Sequence, residues 1–193
     1  MILDTVHGLH TKDFNDYVIY KLIADGRWNL SDDAYDTTSC GDERPDVNVI
    51  PEEEFSDTGF LFTSFDKDRD CAENDIYPFF NSVGEIILNT YLERSRFVFH
   101  RVTIDRVVYN YYNKASQGVF HKDSNDDTYY SIVYYINDND GGTSSDDKFI
   151  RSKAGDAILV KGDTWHKGVG PRLTSQRFCV NIGFLGEDRV DKG

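Results

Sequence analysis

Phe120-His121-Lys122-Asp123 carries a histidine and a carboxylate two positions apart. Side chains alternate between the two faces of an extended strand, so His121 and Asp123 would point to the same side. His166 is the later histidine that can join them. Two histidines and one carboxylate form a facial set of metal ligands that suits Fe(II) and leaves coordination positions open. The stretch therefore predicts a metal site built from His121, Asp123 and His166.

The spacing of this pair is weak evidence when it is taken alone. The chain contains 34 acidic residues and five histidines. An H-x-D or H-x-E pair would arise by chance in roughly half or more of shuffled chains of such a composition. The pair gains weight only from the sequence around it.

The composition predicts a folded chain with an acidic surface. The 193 residues are 39% hydrophobic and 14% aromatic, enough to bury a core. The net charge of −13 disfavours unaided binding to nucleic acid or to an anionic membrane, since both favour a basic surface. Cys40, Cys71 and Cys179 have no metal-binding spacing and predict free thiols in a reducing compartment. Because residues 1–10 lack the pattern of a secretory signal and no stretch reaches membrane-spanning length, we expect a soluble, cytoplasmic protein.

The N-terminal half predicts two amphipathic helices and two polar loops. The first helix runs from an N-cap at Thr11 to a stop at Gly26, with apolar residues at Phe14, Tyr17, Val18, Leu22 and Ile23. The second is expected over Asp75 to Glu93, with an apolar stripe of Phe79, Phe80, Val83, Ile86, Ile87 and Tyr91. Polar loops are predicted for Ser31 to Asp46 and for Asp66 to Asp75.

After Arg96 the pattern changes to short runs of β-branched and aromatic residues separated by Gly, Asn and Asp. At least six strands are predicted, over Phe97 to Tyr112, Thr128 to Asn137, Lys148 to Ile150, Ala157 to Lys161, Trp165 to Val169 and Gln176 to Phe184. Helices followed by many short strands predict an α+β, mainly β fold of the sandwich or jelly-roll type, an architecture that includes the cupins. We expect a single domain over residues 1–193, with a helical and loop part at 1–96 and a β core at 97–185.

Several other residues are expected to have structural roles. Gly141, Gly142 and Gly155 are expected in turns that need a positive φ. Trp165, beside His166, is expected to pack or to form a pocket wall. Three histidines without partners at ligand spacing are expected at the surface or in the core: His7, His10 and His100.

Residues 102–184 resemble the Fe(II)- and 2-oxoglutarate-dependent dioxygenases, in particular the prolyl 4-hydroxylase-like branch. The motifs occur in the order found in that family: a tyrosine-bearing strand, His121-Lys122-Asp123, Tyr134-Tyr135-Ile136-Asn137, Gly141-Gly142, Ala154 to Val160, Trp165-His166 and Arg177 to Ile182. This joint order is more specific than any single motif. The resemblance implies a double-stranded β-helix with helices that buttress one sheet.

The resemblance also assigns the metal ligands. His121, Asp123 and His166 match the three iron ligands of the family. Relatives that halogenate their substrates lack the carboxylate and use the vacant position for a halide. The presence of Asp123 therefore favours hydroxylation.

Three further residues match positions that hold the cosubstrate in the family. Arg177 matches the basic residue that pairs with the distal carboxylate of 2-oxoglutarate, a role that suits the guanidinium fork. Arg172 is the competing arginine, although it lies in an expected loop. Tyr134 and Tyr111 match positions that contribute a phenol near the cosubstrate.

The resemblance implies a hydroxylase that uses Fe(II), 2-oxoglutarate and O2, with ascorbate as a further candidate, and that releases succinate and CO2. The leading substrate is a prolyl or other peptidyl side chain of a peptide or protein partner, and the next is a free amino acid or small metabolite.

Two other classes of function stay open. An alkylation-repair-type nucleic-acid demethylase is disfavoured by the acidic charge, and that group has two arginines separated by five residues, whereas Arg172 and Arg177 have four between them. A non-enzymatic, cupin-like binding module would keep the barrel without needing an arginine for the cosubstrate. The oligomeric state is not predicted.

Overall fold

The computed structural model describes residues 1–25, 29–30, 60–66, 77–114, 116, 118, 120–146, 148–187 and 190–191. Within these residues there are two helices, α1 (Lys12–Asp25) and α2 (Tyr77–Arg94), and twelve strands. The strands are β1 (Ile2–Val6), β2 (Asn29–Leu30), β3 (Phe60–Asp66), β4 (Phe97–Val98), β5 (Arg101–Asn113), β6 (Tyr129–Tyr135), β7 (Gly142–Ser145), β8 (Phe149–Arg151), β9 (Ala157–Lys161), β10 (His166–Val169), β11 (Gln176–Glu187) and β12 (Val190–Asp191).

The strands form one large sheet and two small ones. The seven-stranded sheet has the order β1-β9-β6-β11-β5-β3-β2, the second sheet has the order β10-β7-β8, and β12 pairs with β4. Long strand β11 lies at the centre of the large sheet, antiparallel to β5 on one side and to β6 on the other. The predicted mainly β architecture with N-terminal helices is confirmed.

One face of the large sheet packs against both helices. Alternation along β11 places four apolar side chains on this face: Phe178, Val180, Ile182 and Phe184. The helices bury Val18, Leu22, Phe80, Val83, Ile87 and Tyr91 in the same cluster. Each large apolar side chain buried in this way contributes about 1.5–3 kcal/mol relative to an exposed one. The helices therefore hold the sheet from the side opposite the polar residues described below.

The predicted first helix is correct in its start and partly wrong in its buried face. The backbone N–H of Phe14 donates to Thr11 Oγ1 at 3.3 Å, as expected of an N-cap. Val18 and Leu22 are buried, but Tyr17 and Ile23 are 54% and 64% exposed. When a helix packs against the protein on one side, only the residues closest to the centre of its apolar stripe reach the protein core.

The other face of the large sheet carries a smaller apolar cluster and a set of polar residues. The cluster contains Ile2, Tyr112, Val133, Tyr135, Ile158, Val160 and Cys179, with Ile150 of β8 packed against it. The contact from Ile150 shows that the three-stranded sheet covers this face. The space between these two sheets holds the candidate site.

The six predicted strands of the C-terminal half are present, with the first divided into β4 and β5. Five strands were not predicted, namely β1, β2, β3, β7 and β12. β1 pairs with β9 at the edge of the large sheet, although residues 1–10 carry no clear alternation. β7 consists of Gly, Thr and Ser, which have too little apolar character to produce a strand pattern.

The glycine prediction is correct for Gly155, which has φ of 83°, and wrong for Gly141 and Gly142. Gly142 lies in β7, and neither of these two glycines is among the described residues with positive φ. A Cβ on Gly142 would lie 2.0 Å from the carbonyl oxygen of Ile150. Close packing of β7 against β8, and not backbone conformation, requires a glycine here.

Some predictions concern residues outside the described ranges. These are the helix stop at Gly26, the loop from Ser31 to Asp46, nearly all of the loop from Asp66 to Asp75, and Cys40 and Cys71. Cys179 is a buried free cysteine. Neither described helix combines the length and the apolar character needed to cross a membrane.

Candidate metal centre and buried arginine

The two histidines of the predicted metal site lie opposite each other on neighbouring segments. The N–H of His121 donates to the carbonyl of His166 at 2.9 Å, and the N–H of His166 donates to the carbonyl of His121 at 3.0 Å. This antiparallel bridge sets the two imidazole rings side by side, with 4.6 Å between their centroids.

Asp123 completes the cluster because it lies two residues after His121 on the same face. Its Oδ1 is 3.6 Å from His121 Nε2, and its Oδ2 is 3.5 Å from His166 Nε2. One ligand atom from each of the three residues lies within 4.8 Å of the others. The structure therefore brings together the three residues that the sequence singled out.

His166 is arranged as a neutral ligand with a free lone pair. Its Nδ1 lies 2.9 Å from the carbonyl of Thr164, which can only accept, so Nδ1 carries the proton. Its Nε2 is buried, faces the cluster and has no hydrogen-bond partner. Burial lowers the pKa of His166, which keeps the imidazole uncharged near neutral pH. A buried nitrogen without a hydrogen is otherwise costly, and a metal ion would satisfy it.

Asp123 is arranged as an ionised ligand. Burial alone would raise the pKa of its carboxyl, but the neighbouring His166, His121 and Arg106 outweigh that effect and hold the pKa well below its usual range. Arg106 and Ser131 also donate hydrogen bonds to the carboxylate, at 2.8 and 2.5 Å. Two imidazoles and one carboxylate are thus grouped where a divalent cation could bind.

Arg177 is a buried cation that has no counter-ion among the described residues. It is 1% exposed on β11, and its Nε donates to Ser152 Oγ at 3.0 Å. Its Nη1 is buried and has no hydrogen-bond partner. Within the part of the chain that the structure describes, no carboxylate lies within ion-pair distance of this guanidinium. A buried charge is costly unless it is paired, so the surroundings of Arg177 favour an anion supplied from outside the chain.

The competing arginine lies elsewhere. Arg172 is exposed in the loop before β11, and its backbone N–H donates to Asp140 Oδ2 at 2.9 Å. Leu173 and Thr174 donate to the same carboxylate. Asp140 thus fixes the loop in a position that keeps Arg172 at the surface.

The structure does not bring Tyr111 and Tyr134 to Arg177. The hydroxyl of Tyr134 donates to Asn15 of α1, and Tyr134 belongs to the core between the sheet and the helices. The ring of Tyr111 packs on Phe178, with 5.0 Å between centroids, on that same side. Both tyrosines belong to Tyr-Tyr pairs, and a choice that is off by one residue moves a side chain to the other face of a strand.

The partners in these pairs, Tyr112 and Tyr135, do surround the arginine. The guanidinium carbon lies 4.6 Å from the ring centre of Tyr112 and 5.7 Å from that of Tyr135. The hydroxyl of Tyr135 donates to Thr143 Oγ1 at 2.9 Å, and Arg177 Nη2 contacts the same oxygen at 3.4 Å. The structure therefore places Tyr112 and Tyr135, and not Tyr111 and Tyr134, beside Arg177.

Tyr112 connects the arginine with the strand that carries His166. A Cβ on Gly168 would lie 2.2 Å from the Tyr112 hydroxyl, so the phenol fits only because residue 168 is a glycine. Gly168 and His166 are two residues apart on β10, a distance of about 7 Å along a strand. The surroundings of Arg177 and the metal cluster are thus neighbouring parts of one site.

Sequence reasoning missed several polar residues around this site, from both sheets: Arg106, Asn110, Tyr112, Ser131, Tyr135, Thr143 and Ser152. Asn110 is 5% exposed, and its Nδ2 is buried without a hydrogen-bond partner. It pairs with Cys179 across β5 and β11, two residues before Tyr112. The alternation from Arg177 through its cross-strand neighbour Tyr112 was the signal that could have identified Asn110.

No protein-family model matches the sequence, and no curated protein matches it either. Solved structures do match. The viral collagen prolyl hydroxylase of Paramecium bursaria Chlorella virus-1, in complex with 2-oxoglutarate, is 13% identical over 96% of this chain and 96% of that chain, with a TM-score of 0.54. A Pseudomonas putida prolyl-4-hydroxylase is 12% identical over 95% of this chain and 92% of that chain, with a TM-score of 0.56.

HygX from Streptomyces hygroscopicus, solved with nickel and 2-oxoglutarate bound, is 11% identical. The match covers 94% of this chain and 82% of that chain, with a TM-score of 0.59. At these identities the likeness establishes the architecture. The chain has the double-stranded β-helix fold of the 2-oxoglutarate- and Fe(II)-dependent oxygenases.

Proposed function

We propose that the protein is an Fe(II)- and 2-oxoglutarate-dependent oxygenase that hydroxylates a C–H bond. The observation that carries the proposal is the pairing of a His121, Asp123 and His166 cluster with a buried arginine that has no counter-ion among the residues the structure describes. Metal ligands alone fit many cations, and a buried arginine alone fits many anions. Their combination on one face of this fold favours a metal-chelating organic acid.

The donor set fits Fe(II). Two imidazoles and one carboxylate suit this ion and leave positions open for further ligands. His121, Asp123 and His166 would hold it, with Nε2 of His166 as one donor. Thr164 fixes the proton on Nδ1 of that ring and therefore directs the free lone pair toward the ion.

The surroundings of Arg177 fit the distal carboxylate of 2-oxoglutarate. Nη1 of the guanidinium is free to donate, and Thr143 and Tyr135 supply hydroxyl groups next to it. The buried amide of Asn110 is a further donor on the same face. A five-carbon dicarboxylate anchored at Arg177 would extend its keto-acid end past Tyr112 toward β10, the strand that carries His166.

When bound, iron and 2-oxoglutarate would use O2 to oxidise a substrate C–H bond, with release of succinate and CO2. The protein would bind and orient the participants. Its buried arginine, apolar cluster and covering sheet would exclude water from the space between the sheets.

The leading substrate is a prolyl or other peptidyl side chain, with a free amino acid or small metabolite as the alternative. The two prolyl hydroxylases of similar fold support the first choice. The net charge of −13 argues against a nucleic-acid demethylase, because nucleic acid favours a basic surface. The exposed position of Arg172 argues against it as well, because this arginine does not join Arg177 in a basic groove. A non-enzymatic, cupin-like binding module would not need an arginine for 2-oxoglutarate, so the buried Arg177 near the metal cluster favours the oxygenase.

We also propose that the chain is a single domain. Its main core contains residues from α1, α2 and the central strands, so the N-terminal part and the β core share one apolar interior.

Turnover tests the proposed function. We expect the protein, reconstituted with Fe(II), to convert 2-oxoglutarate into succinate when it is offered proline-containing peptides, other peptides and free amino acids in parallel. The His166→Ala variant should give no succinate above background. The proposal is contradicted if the wild-type protein releases no more succinate than this variant with every substrate and also without substrate.

A pair of tyrosine variants tests our proposal that Tyr135, and not Tyr134, supports the bound cosubstrate. Tyr135→Phe removes a hydroxyl from the network around Arg177, and we expect 2-oxoglutarate to bind roughly tenfold more weakly, since a hydrogen bond to a charged group contributes about 1.5–3 kcal/mol. Tyr134→Phe removes a hydroxyl that faces α1, and it should lower the free energy of unfolding by about 1 kcal/mol without changing binding. Isothermal titration and chemical denaturation of both variants measure the two effects. Weaker binding in Tyr134→Phe alone would reverse the assignment.

A further inference from the structure

Both oxygens of Asp123 are held by side chains from the large sheet. Arg106 Nη2 donates to Oδ1 at 2.8 Å, and Ser131 Oγ donates to Oδ2 at 2.5 Å. The side chain of Asp123 is 3% exposed and that of Arg106 is 37% exposed. Arg106 lies on β5 and Ser131 on β6, the strands on either side of β11. The carboxylate is therefore held from both sides of the central strand.

The central strand leaves room for this arrangement. Gly183 of β11 is the cross-strand partner of Arg106 and also of Ser131. A Cβ on Gly183 would lie 3.1 Å from Arg106 Cγ and 2.0 Å from the hydroxyl of Tyr129. Because residue 183 has no side chain, Arg106 can lie across β11 and reach Asp123.

A β-bulge in β5 also directs the side chain of Arg106 toward Asp123. The register between β11 and β5 shifts so that Gly183 pairs with Arg106 and Phe184 with Ile104, which leaves Asp105 as an extra residue. Asp105 accepts a hydrogen bond from the Tyr129 hydroxyl at 3.1 Å, which anchors the bulge. Bulges commonly redirect a side chain next to a functional site.

We propose that Arg106 and Ser131 are positioning residues of the metal centre, which fix the orientation of the Asp123 carboxylate for the ion. An ionised carboxylate offers about four lone-pair sites on its two oxygens, so one hydrogen bond to each oxygen leaves a lone pair for a metal. Partners that orient a ligand commonly change metal affinity by about 10–100-fold when they are removed. This inference rests on the proposed metal site.

Co(II) binding in the absence of O2, 2-oxoglutarate and substrate tests the inference. We expect Arg106→Met to raise the Co(II) dissociation constant by about 10–100-fold and Ser131→Ala to raise it by about tenfold. Both variants should change the visible absorption spectrum of the bound Co(II), because the carboxylate changes its position. Arg106→Lys, which keeps a donor but not the planar fork, should restore part of the affinity.

The matched control is Arg101→Met. Arg101 lies on the same strand, its side chain is 73% exposed, and it faces Glu187 at 3.9 Å. This variant changes the net charge equally and should bind Co(II) with the wild-type constant and spectrum. A purely structural role for Arg106 would lower the midpoint of thermal unfolding and leave the spectrum at saturation unchanged.

The inference is overturned if Arg106→Met and Ser131→Ala bind Co(II) like the control, with the wild-type spectrum. If Arg106→Met does not fold, Ser131→Ala decides by the same criterion, since it removes only one buried hydroxyl. A wild-type protein that binds no Co(II) would overturn the proposed metal site, and with it this inference.

Discussion

Arg177→Met should weaken the binding of 2-oxoglutarate by two to four orders of magnitude. The arginine is 1% exposed and has a free Nη1, so a carboxylate bound there would lose its only cationic partner at a buried position. A buried charge left without its partner costs about 3–5 kcal/mol, and every 1.4 kcal/mol corresponds to about tenfold in a dissociation constant. Metal binding should be unaffected, because Arg177 contacts none of the three metal ligands.

The same variant should not destabilise the protein without ligand. The guanidinium has no counter-ion within the described residues, so methionine would replace an unpaired buried charge with an apolar side chain of similar length. We expect an unchanged or higher midpoint of thermal unfolding for Arg177→Met. This combination of lost binding and retained stability distinguishes a ligand-binding arginine from one that holds the fold.

Arg172→Met is the matched control for this prediction. Arg172 is exposed, and its interactions are screened by solvent, so the substitution should change binding by less than about 1 kcal/mol. Isothermal titration with 2-oxoglutarate in the presence of Fe(II), under anaerobic conditions, compares the three proteins. If Arg172→Met weakens binding and Arg177→Met does not, the assignment of the arginine is wrong.

Loss of any one of the three proposed metal ligands should reduce iron binding even more directly. We expect Asp123→Ala, His121→Ala and His166→Ala each to weaken Fe(II) binding by more than about 100-fold, since each removes a donor from a three-residue set. Asp123→Ala should also abolish hydroxylation. Metal analysis after anaerobic reconstitution, followed by gel filtration, measures the retained iron.

Asp127→Ala is the control for the aspartate. Its side chain is 90% exposed in the same acidic segment and contacts Lys161 at 3.1 Å. We expect full iron binding in this variant, because surface charge near a site contributes little once salt screens it. Equal losses in Asp123→Ala and Asp127→Ala would mean that the charge of the segment, and not coordination, retains the metal.

The cluster of the three proposed metal ligands could be predicted from sequence because one short pattern contains most of the geometry. His121 and Asp123 share a face by strand alternation, and His166 follows in the order that the family resemblance requires. Arg177 could be chosen over Arg172 because Arg177 lies in a predicted strand and Arg172 lies in a predicted loop.

The tyrosines could not be assigned in the same way. Tyr111 and Tyr112 are adjacent, as are Tyr134 and Tyr135, and both faces of these strands are buried, one against the helices and one against the small sheet. Strands buried on both faces lose the apolar and polar alternation that sets the direction of each side chain. The direction follows only from cross-strand pairing, which places Tyr112 opposite Arg177.

The interaction between Arg106 and Asp123 also depends on features that a sequence pattern does not contain. An arginine in a predicted strand would ordinarily be taken as a solvent-facing residue. Here Gly183 on the neighbouring strand and a bulge at Asp105 let the side chain of Arg106 lie across β11 and reach Asp123. Both are properties of strand pairing between segments that lie about 80 residues apart in the sequence.

The most direct test of the proposed site is the visible charge-transfer band that forms when a 2-oxo acid chelates Fe(II) in the absence of oxygen. The band requires the metal ligands and the anion site to act together, so it tests both parts of the proposal in one measurement. We predict that the wild-type protein with Fe(II) develops this band on titration with 2-oxoglutarate, that Arg177→Met needs at least 100-fold more 2-oxoglutarate to reach half of the signal, and that His166→Ala shows none. A wild-type protein that binds Fe(II) but shows no band at any concentration of 2-oxoglutarate would contradict the account.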